Sequence, residues 1–421
     1  MQLIQTEILT IGDEILYGQI VDTNSQWISL ELDRIGVTTI RKTTVSDNEY
    51  EILGALDEAS ARADIILITG GLGPTNDDLT KPCLAKFFNC ELELHEQALK
   101  EVRSIFNKIG KELTETNRQQ AYLPTNCTAI TNRVGTAPGM WFHEKGKVYV
   151  SMPGVPHEMK TMMTEHVLPK IRTTFKTPAI YHKIIKTIGI GESWLADKIE
   201  TWERHLPSHI KLAYLPGFGE VKLRLTAFGD DISALKDEIN KQIDALNLIV
   251  GEFIYGYDND TLASTVGQLL REHNLTIGTA ESCTGGSVAQ TLTSIAGSSD
   301  YFIGSVVAYH NRLKESLLEV KHETIEQHGA VSEMTVIEMA NGIRKQLNVD
   351  IGVATSGTAG PGGGTIEKPV GTVWIAYSDG QNNVSKRLSL FKDRTINIQL
   401  TTNAVLNLLR QRLAEMGGEK A

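Results

Sequence analysis

The stretch Thr279-Ala280-Glu281-Ser282-Cys283-Thr284-Gly285-Gly286 leaves the chain around it little freedom. An apolar run ending at Ile277-Gly278 leads in, and a small-residue helical pattern from Ser287 to Ile295 leads out. That is a strand, a tight turn and a helix N-terminus. Hydroxyls and backbone N–H groups meet at such a turn, where the helix dipole favours negative charge. A phosphate, or an oxyanion forming on an attacked carbonyl, is what it would hold. The competing reading is a plain strand-to-helix turn with a glycine pair, common in α/β proteins, so the rest of the chain must decide.

The same unit recurs at the N-terminus. Ile4 to Ile11 reads as a strand emptying into Gly12-Asp13-Glu14-Ile15-Leu16, then Asp22-Thr23-Asn24 and a helix-period segment through Trp27, Leu30, Leu32 and Ile35. A second strand lies around Thr38 to Val45, and Ser46-Asp47-Asn48 caps a helix through Ile52, Leu56 and Ala59. Ala63 to Thr69 is a buried strand with Gly70-Gly71-Leu72-Gly73-Pro74-Thr75-Asn76-Asp77-Asp78 at its end. Alternating strand and helix predicts a parallel doubly wound sheet with its ligand crevice outside the carboxyl ends of the strands. Gly70, Gly71 and Gly73 would let phosphates approach the backbone. Asp77 and Asp78 offer hard oxygens to a divalent cation, which Glu14, Asp13 and Asp22 could join. Two solvated loops with acidic caps is the bland alternative.

At 421 residues the chain is too long for one ordinary core. With 41% hydrophobic and 22% charged residues it has the balance of a soluble globular protein. No apolar run spans a bilayer, and the first residues do not read as a signal peptide. The formal charge of -10 argues against wholesale wrapping of nucleic acid. Cys83, Cys90, Cys127 and Cys283 show neither CxxC pairing nor a His partner set, which excludes an obvious zinc site or disulfide framework and fits a reducing cytoplasm.

Three domains are expected: residues 1–170, α/β; 171–252, small and α+β; and 253–421, again α/β. The middle one is carried by a strand from His182 to Thr187, Gly189-Ile190-Gly191-Glu192 opening a helix, and the alternating strand Val221 to Ala227. Gly251 to Asp260 reads as a polar connection.

In the last domain, three strand ends point to one crevice. They are the turn with Ser282, the run Tyr301 to Tyr309 with Asn311 and Lys314 behind it, and Asp350 to Thr355 emptying into Ser356-Gly357-Thr358-Ala359-Gly360-Pro361. The crevice offers a hydroxyl, a phenol and an amine, with no acidic cluster. A desolvated lysine, relayed through Tyr309, would serve as base for Ser282, and N–H groups near Gly285 and Gly286 would stabilise the oxyanion. That is amide hydrolysis without metal. Cys283 is the rival nucleophile, and its better reading is core packing.

Two resemblances follow from these motifs. Thr69 to Thr80, with Gly12 to Leu16, Asp22 to Asn24, Asn117-Arg118, Gly135-Thr136-Ala137-Pro138-Gly139 and Met152-Pro153-Gly154-Val155-Pro156-His157-Glu158, resembles the MoaB/MogA molybdopterin-binding fold in the version found in the CinA family. Ala280 to Gly286, Val307-Ala308-Tyr309, Gly329 to Ser332, Ser356 to Pro361 and Lys368 to Trp374 resemble the CinA C-terminal domain, the PncC-type nicotinamide mononucleotide (NMN) deamidases. The resemblance also suggests a KH-sized middle layer. It implies hydrolysis of NMN to nicotinate mononucleotide and ammonia, with Ser282 as nucleophile, Lys314 and Tyr309 assisting, and no cofactor. The ligand would be held by Thr284, Gly285, Gly286, Asn311, Ser356, Gly357 and Thr358, with Arg394 on its 5′-phosphate. For the N-terminal domain it implies ADP-ribose hydrolysis to AMP and ribose 5-phosphate, with Mg, Mn or Co on Asp77, Asp78 and Glu14, and with Gly70, Gly71, Gly73 and Asn24 on the substrate. His157 is the one proton carrier in those motifs, although a lone His in a Pro-Gly turn is more often structural. A cytoplasmic homodimer acting on small nucleotides, without membrane or nucleic-acid partners, is the expectation. Two other readings stand beside it: a molybdopterin-nucleotide enzyme in the N-terminal half, and a competence-associated binding protein with vestigial pockets.

Overall fold

The computed structural model describes residues 4–75, 77–108 and 110–418, so Asn76 of the glycine-rich loop lies outside the described residues. The chain forms two compact units, one of residues up to Tyr181 with Phe228–Leu235, the other of His182–Ala227 with Lys236 onward.

The first unit is built on β1 (Ile4–Ile11), β2 (Val37–Val45), β3 (Ile65–Thr69), β4 (Leu92–Leu94), β5 (Tyr122–Pro124), β6 (Thr128–Ile130), β7 (Gly139–Glu144) and β8 (Lys147–Met152). Six of them form one sheet in the order β2-β1-β3-β8-β7-β6. The β2-β1-β3-β8 part is parallel, as the alternation of strands and helices requires. β7 and β6 extend it antiparallel, because β8 follows β7 through the short turn at Lys145-Gly146 with no room for a crossover. Period-2 alternation sends Ile8, Ile65, Leu67, Val148 and Val150 to one apolar cluster. It sends Leu9, Ile11, Ile66, Ile68 and Tyr149 to the other, so both faces of the sheet are covered.

Glu7 is the exception in β1. It is fully buried and is held by Arg62 through Nε at 2.6 Å and Nη2 at 2.9 Å, and by the Thr43 hydroxyl at 2.7 Å. Burial alone would raise its pKa, but these donors hold it below the ordinary carboxylate value.

The second unit contains a sheet of β9 (Ala179–Ile188), β10 (Ile210–Gly217), β11 (Glu220–Gly229) and β12 (Ile254–Tyr257), in the order β10-β11-β9-β12. The expected polar connection from Gly251 to Asp260 is therefore corrected in its middle: Ile254–Tyr257 pairs antiparallel with β9. Tyr255 is buried in the same cluster as Ile188 and the C-terminal core residues Leu262, Val266 and Leu409. The few apolar residues there, set among glycines and charges, make a weak strand signal, which the tertiary pairing overrides. The buried Arg410 guanidinium adds hydrogen bonds to the carbonyls of Ile254 and Glu252, at 3.0 and 2.7 Å.

The last sheet comprises β13 (Ile277–Glu281), β14 (Phe302–Val307), β15 (Ile351–Gly357), β16 (Thr372–Ser378) and β17 (Asn383–Ser389), in the order β14-β13-β15-β16-β17. Its first three strands are parallel and the other two antiparallel. Since β13 connects to β14 on one side and the chain returns to β15 on the other, a crevice opens at the carboxyl end of β13. Ser282 stands there.

Among the described residues no helix is long and apolar enough to cross a membrane.

Candidate functional site

At the end of β13, Ser282 is 8% exposed and its N–H donates to the Thr355 carbonyl at 3.0 Å, which fixes the turn against β15. The helix Asn311–Leu318 carries Lys314 into the same place. Lys314 is 1% exposed, and its Nζ lies 3.1 Å from Ser282 Oγ, 2.8 Å from the Ala308 carbonyl and 3.4 Å from the Tyr309 carbonyl. All three partners are neutral. Burial without a carboxylate partner lowers the pKa of the amine below the ordinary lysine value. The expected relay through Tyr309 is corrected: Lys314 meets Ser282 directly. The Tyr309 phenol, 59% exposed, instead receives a hydrogen bond from Arg394 at 2.9 Å, and Arg394 also donates to the Gly360 carbonyl at 2.9 Å.

These groups line one cavity of about 220 Å³, together with Asn311, Ser356 and Gly357. Its wall carries two cations, Lys314 and Arg394, and no carboxylate. Thr284, Gly285, Gly286 and Thr358 do not line it. The Thr358 N–H and carbonyl are occupied by Thr372 and Gly371. The Thr284 hydroxyl lies against Glu281 and Thr355, at 2.7 and 2.8 Å.

Glu281 is the residue that sequence reasoning missed. Fully buried, its carboxylate accepts the N–H groups of Gly286 at 3.0 Å, Val288 at 3.0 Å and Ala289 at 2.8 Å. The helix N-terminus expected to hold a phosphate or oxyanion is thus already filled from inside. The Gly285 N–H is also used, by the Ser282 carbonyl at 3.2 Å. The N–H groups of Cys283 and Thr284 donate to no backbone acceptor among the described residues, and Cys283 itself lines the cavity. The Gly285 and Gly286 N–H groups are therefore already taken by the chain itself. A carboxylate one residue before the nucleophile and five before Gly286 was the available signal. Cys283 belongs to the core cluster, and burial pushes its thiol up to about 12, which removes it as a thiolate nucleophile.

The N-terminal crevice is chemically the opposite. A cavity of about 540 Å³ at the ends of β1, β3 and β8 gathers Glu14, Asn24, Gly70, Gly71, Gly73, Asp77 and Asp78. Asp22, Asp47 and Glu158 line it too, making six carboxylates and no Lys, Arg or His. Asp13 is outside it, and His157 is exposed on the helix Pro156–Met162 and does not line it. Burial first, then the neighbouring Asp13, Glu14 and Asp77, raises the Asp47 pKa. Gly70 and Gly71 serve packing at this point. A Cβ on Gly70 would sit 2.1 Å from the Ile11 carbonyl oxygen, and one on Gly71 2.2 Å from Thr80 Oγ1, both at positive φ.

Asp77, Asp78 and Glu14 do not form a ready-made metal site. Among the described residues no three His, Cys, Asp or Glu side chains are gathered to hold an ion. Asp78 is engaged as the clamp of its own loop: Oδ1 accepts Gly73 N–H at 2.7 Å, while Oδ2 accepts Thr75 N–H at 2.9 Å and its hydroxyl at 2.5 Å. The crevice nevertheless suits an ion whose shell is completed by substrate phosphates and water, the habit of Mg²⁺. Thr69 Oγ1, Asn24 Oδ1 and Gln120 Oε1 are buried without a partner, on residues that line the cavity.

Taken together, the molecule is a multidomain α/β protein with an acidic crevice in one unit and a cationic serine–lysine crevice in the other. A model described as the probable molybdopterin binding domain matches residues 7–173, the damage-inducible protein CinA KH domain matches 182–256, and the CinA C-terminal domain matches 259–413. A CinA-like protein of Cytophaga hutchinsonii is 52% identical over 98% of this chain and 99% of its own length. One of Flavobacterium psychrophilum is 43% identical over 96% and 97%. A crystal structure of CinA from Thermoplasma acidophilum, titled as having unknown function, is 34% identical over 41% of this chain and 98% of its own, with a TM-score of 0.37. The chain belongs to the CinA family. That membership, with its molybdopterin-binding-type domain, supports an enzymatic role in pyridine-nucleotide or molybdopterin chemistry on small nucleotides.

Proposed function

We propose that the protein hydrolyses two nucleotides related to NAD: the carboxamide of NMN at Ser282 and the diphosphate of ADP-ribose in the acidic crevice. The observation that carries the first activity is the buried Lys314 amine, without a carboxylate partner, 3.1 Å from Ser282 Oγ. In its neutral form Lys314 takes the serine proton as Oγ bonds to the carboxamide carbon. The N–H group of Cys283, the residue after the serine and on the cavity wall, would face the oxyanion. Collapse breaks the C–N bond, and the proton held by Lys314 leaves with ammonia. A water molecule, deprotonated by the same amine, then attacks the acyl-serine ester; the C–O bond to Ser282 Oγ breaks, Lys314 returns the proton to Oγ, and the carboxylate of nicotinate mononucleotide leaves.

At about 220 Å³ the cavity is smaller than a site that encloses a whole drug-sized ligand, so it takes the amide-bearing ring. The ribose phosphate stays at the mouth, where Arg394 and Tyr309 stand. Full-length protein incubated with NMN should release ammonia and nicotinate mononucleotide in equal amounts. No release would end this reading.

In the acidic crevice, six carboxylates with no cation repel a diphosphate unless an ion intervenes. A divalent metal, when bound, supplies charge neutralisation and a more acidic water. Glu14 and Asp77 would hold it, and Asp78 keeps the Gly73–Thr75 backbone in place beneath the phosphates. Water adds to one phosphorus, the bridging P–O bond breaks, and AMP and ribose 5-phosphate leave. The probable-molybdopterin-binding match over residues 7–173 favours a second reading of this domain, a pterin-nucleotide enzyme. ADP-ribose cleavage without molybdopterin binding decides between them.

A further inference from the structure

The proposed deamidation uses none of three buried polar side chains beneath the Ser282 turn. Thr355 on β15 stands opposite Glu281 on β13 in the sheet register, and Thr284 lies between them and the cavity floor. All three are buried and none lines the cavity. The Thr284 hydroxyl donates to Glu281 Oε2 at 2.7 Å, which spends its one proton. The 2.8 Å contact between the Thr284 and Thr355 hydroxyls therefore has Thr355 as its donor. Thr355 Oγ1 keeps its lone pairs for the Ser282 N–H, 3.4 Å away, which is shared with the Thr355 carbonyl at 3.0 Å. A directed chain results, from the Ser282 N–H through Thr355 and Thr284 to the Glu281 carboxylate. Each hydroxyl that donates toward the carboxylate becomes a better acceptor for the group behind it. The far end is fixed in turn by the N–H groups of Gly286, Val288 and Ala289. Lys314 is anchored separately, on the Ala308 and Tyr309 carbonyls. The 3.1 Å between its Nζ and Ser282 Oγ thus depends on two pieces held independently. The turn has little stiffness of its own, because Gly285 and Gly286, both at positive φ, follow the serine closely.

We propose that Thr355 is a positioning residue for the nucleophile: its hydroxyl, backed by Thr284 and Glu281, holds the Ser282 backbone where Oγ meets both Lys314 and the carbon it attacks. This role rests on the serine–lysine reading of the site and adds to it the residues that set its geometry. Thr355 acts wholly through the turn, since its side chain reaches neither the cavity nor the lysine. Attack tolerates little displacement, and a shift on the order of 1 Å costs about a hundredfold in rate. The walls that hold the substrate ring do not depend on the chain of hydroxyls. Loss of the Thr355 hydroxyl therefore falls on kcat and leaves KM in place.

The test is steady-state NMN kinetics on the full-length protein with Thr355→Val, which keeps the shape and removes the hydroxyl, and Thr355→Ser, which keeps the hydroxyl. Thr355→Val should lose about tenfold or more in kcat with KM within about twofold of wild type, and Thr355→Ser should regain most of the loss. The pH at which kcat/KM rises should stay where it is in wild type, because Lys314 remains buried. A variant that merely loosened the domain would wet Lys314 and move that rise toward the ordinary lysine value. Thr284→Val cuts the chain one link further from the serine and should show the same split to a smaller degree, so the role does not hang on the folding of one variant. Wild-type kcat in Thr355→Val, an equal loss in Thr355→Ser, or a loss confined to KM overturns the proposal. The rate at which a fluorophosphonate labels Ser282 reads the same geometry without an amide. Labelling slowed in Thr355→Val and restored in Thr355→Ser, with no NMN turnover by wild type, keeps the positioning role and removes the deamidase reading. NMN turnover by wild type with kcat unchanged in Thr355→Val does the reverse. Protein that neither turns over NMN nor labels at Ser282 overturns both.

Discussion

In the proposed deamidation, Ser282 and Lys314 would owe their reactivity to what surrounds them more than to their own type. Lys314→Met should abolish ammonia release from NMN, about a thousandfold or more, and so should Ser282→Ala. Cys283→Ala should stay active, since its thiol is held protonated by burial. Lys314 also gives the deamidation its pH profile. Burial depresses its pKa, and the neutral amine is the base, so kcat/KM should rise with pH through the depressed pKa and level off below the ordinary lysine value. The same shift acts on stability with a definite sign. The unfolded chain binds this proton more readily, so Lys314 destabilises the fold at neutral pH, and the penalty fades as pH rises. Lys314→Met should therefore melt at a higher temperature than wild type at pH 7, an inactive but stabler protein. A lower melting temperature, or a pH profile flat from 6 to 10, would contradict the base assignment. Much of this pair was legible in the sequence, because hydroxyl, phenol and amine lie at ends of strands that a doubly wound sheet must bring together. That the amine reaches the serine unaided was not legible. It depends on the depth to which the helix Asn311–Leu318 carries Lys314, and no local pattern encodes that.

Two turns show how an element is held by one carboxylate. Glu281 occupies the N-terminus of the helix Ser287–Thr293, and Glu281→Ala would leave three N–H groups without acceptors. A loss of about 3 kcal/mol is expected in urea unfolding. An unchanged midpoint would show that the carboxylate does not hold this turn. Asp78 plays the same part in the Gly73–Thr75 loop, so Asp78→Ala should remove ADP-ribose cleavage while leaving NMN deamidation intact. Motif reading located both turns but assigned their polar groups to ligands. A turn that presents N–H groups to a ligand and one that presents them to its own side chain share the same local sequence pattern, and only the folded path separates them. The acidic crevice was more fully readable, since each acid follows a strand end. Gln120 was not, because it comes from a segment outside the strand–turn units. β1 gives a further test of element packing: Arg62→Ala strands the buried Glu7 carboxylate and should cost about 2–3 kcal/mol, less than for a fully buried pair because Arg62 remains partly wet. Glu7's pKa is depressed in the fold, so this stabilisation is present above its ordinary value of about 4.5 and is lost as pH falls through the depressed one. The difference between wild type and Arg62→Ala in urea midpoint should shrink accordingly from pH 7 to pH 3. A constant difference would assign the loss to packing alone.

The two crevices divide the chemistry by charge. One has acids and no cation, the other cations and no acid, so one needs an ion to receive a phosphate and the other does not. Each sits within a single compact unit, so the two proposed activities should be separable. A fragment of residues 182–421 should deamidate NMN like the intact protein. A shorter one beginning at 259 keeps every deamidase residue but exposes the apolar surface that Ile188 and Tyr255 cover, and it should melt at a lower temperature. Equal melting temperatures would show that this contact adds nothing. The most direct measurement is NMN turnover by the full-length protein in excess chelator, with ammonia and nicotinate mononucleotide both quantified, for wild type and Ser282→Ala. Wild type should give equimolar products at an undiminished rate, and Ser282→Ala none. Turnover that disappears with the metal, or that survives in Ser282→Ala, would contradict it.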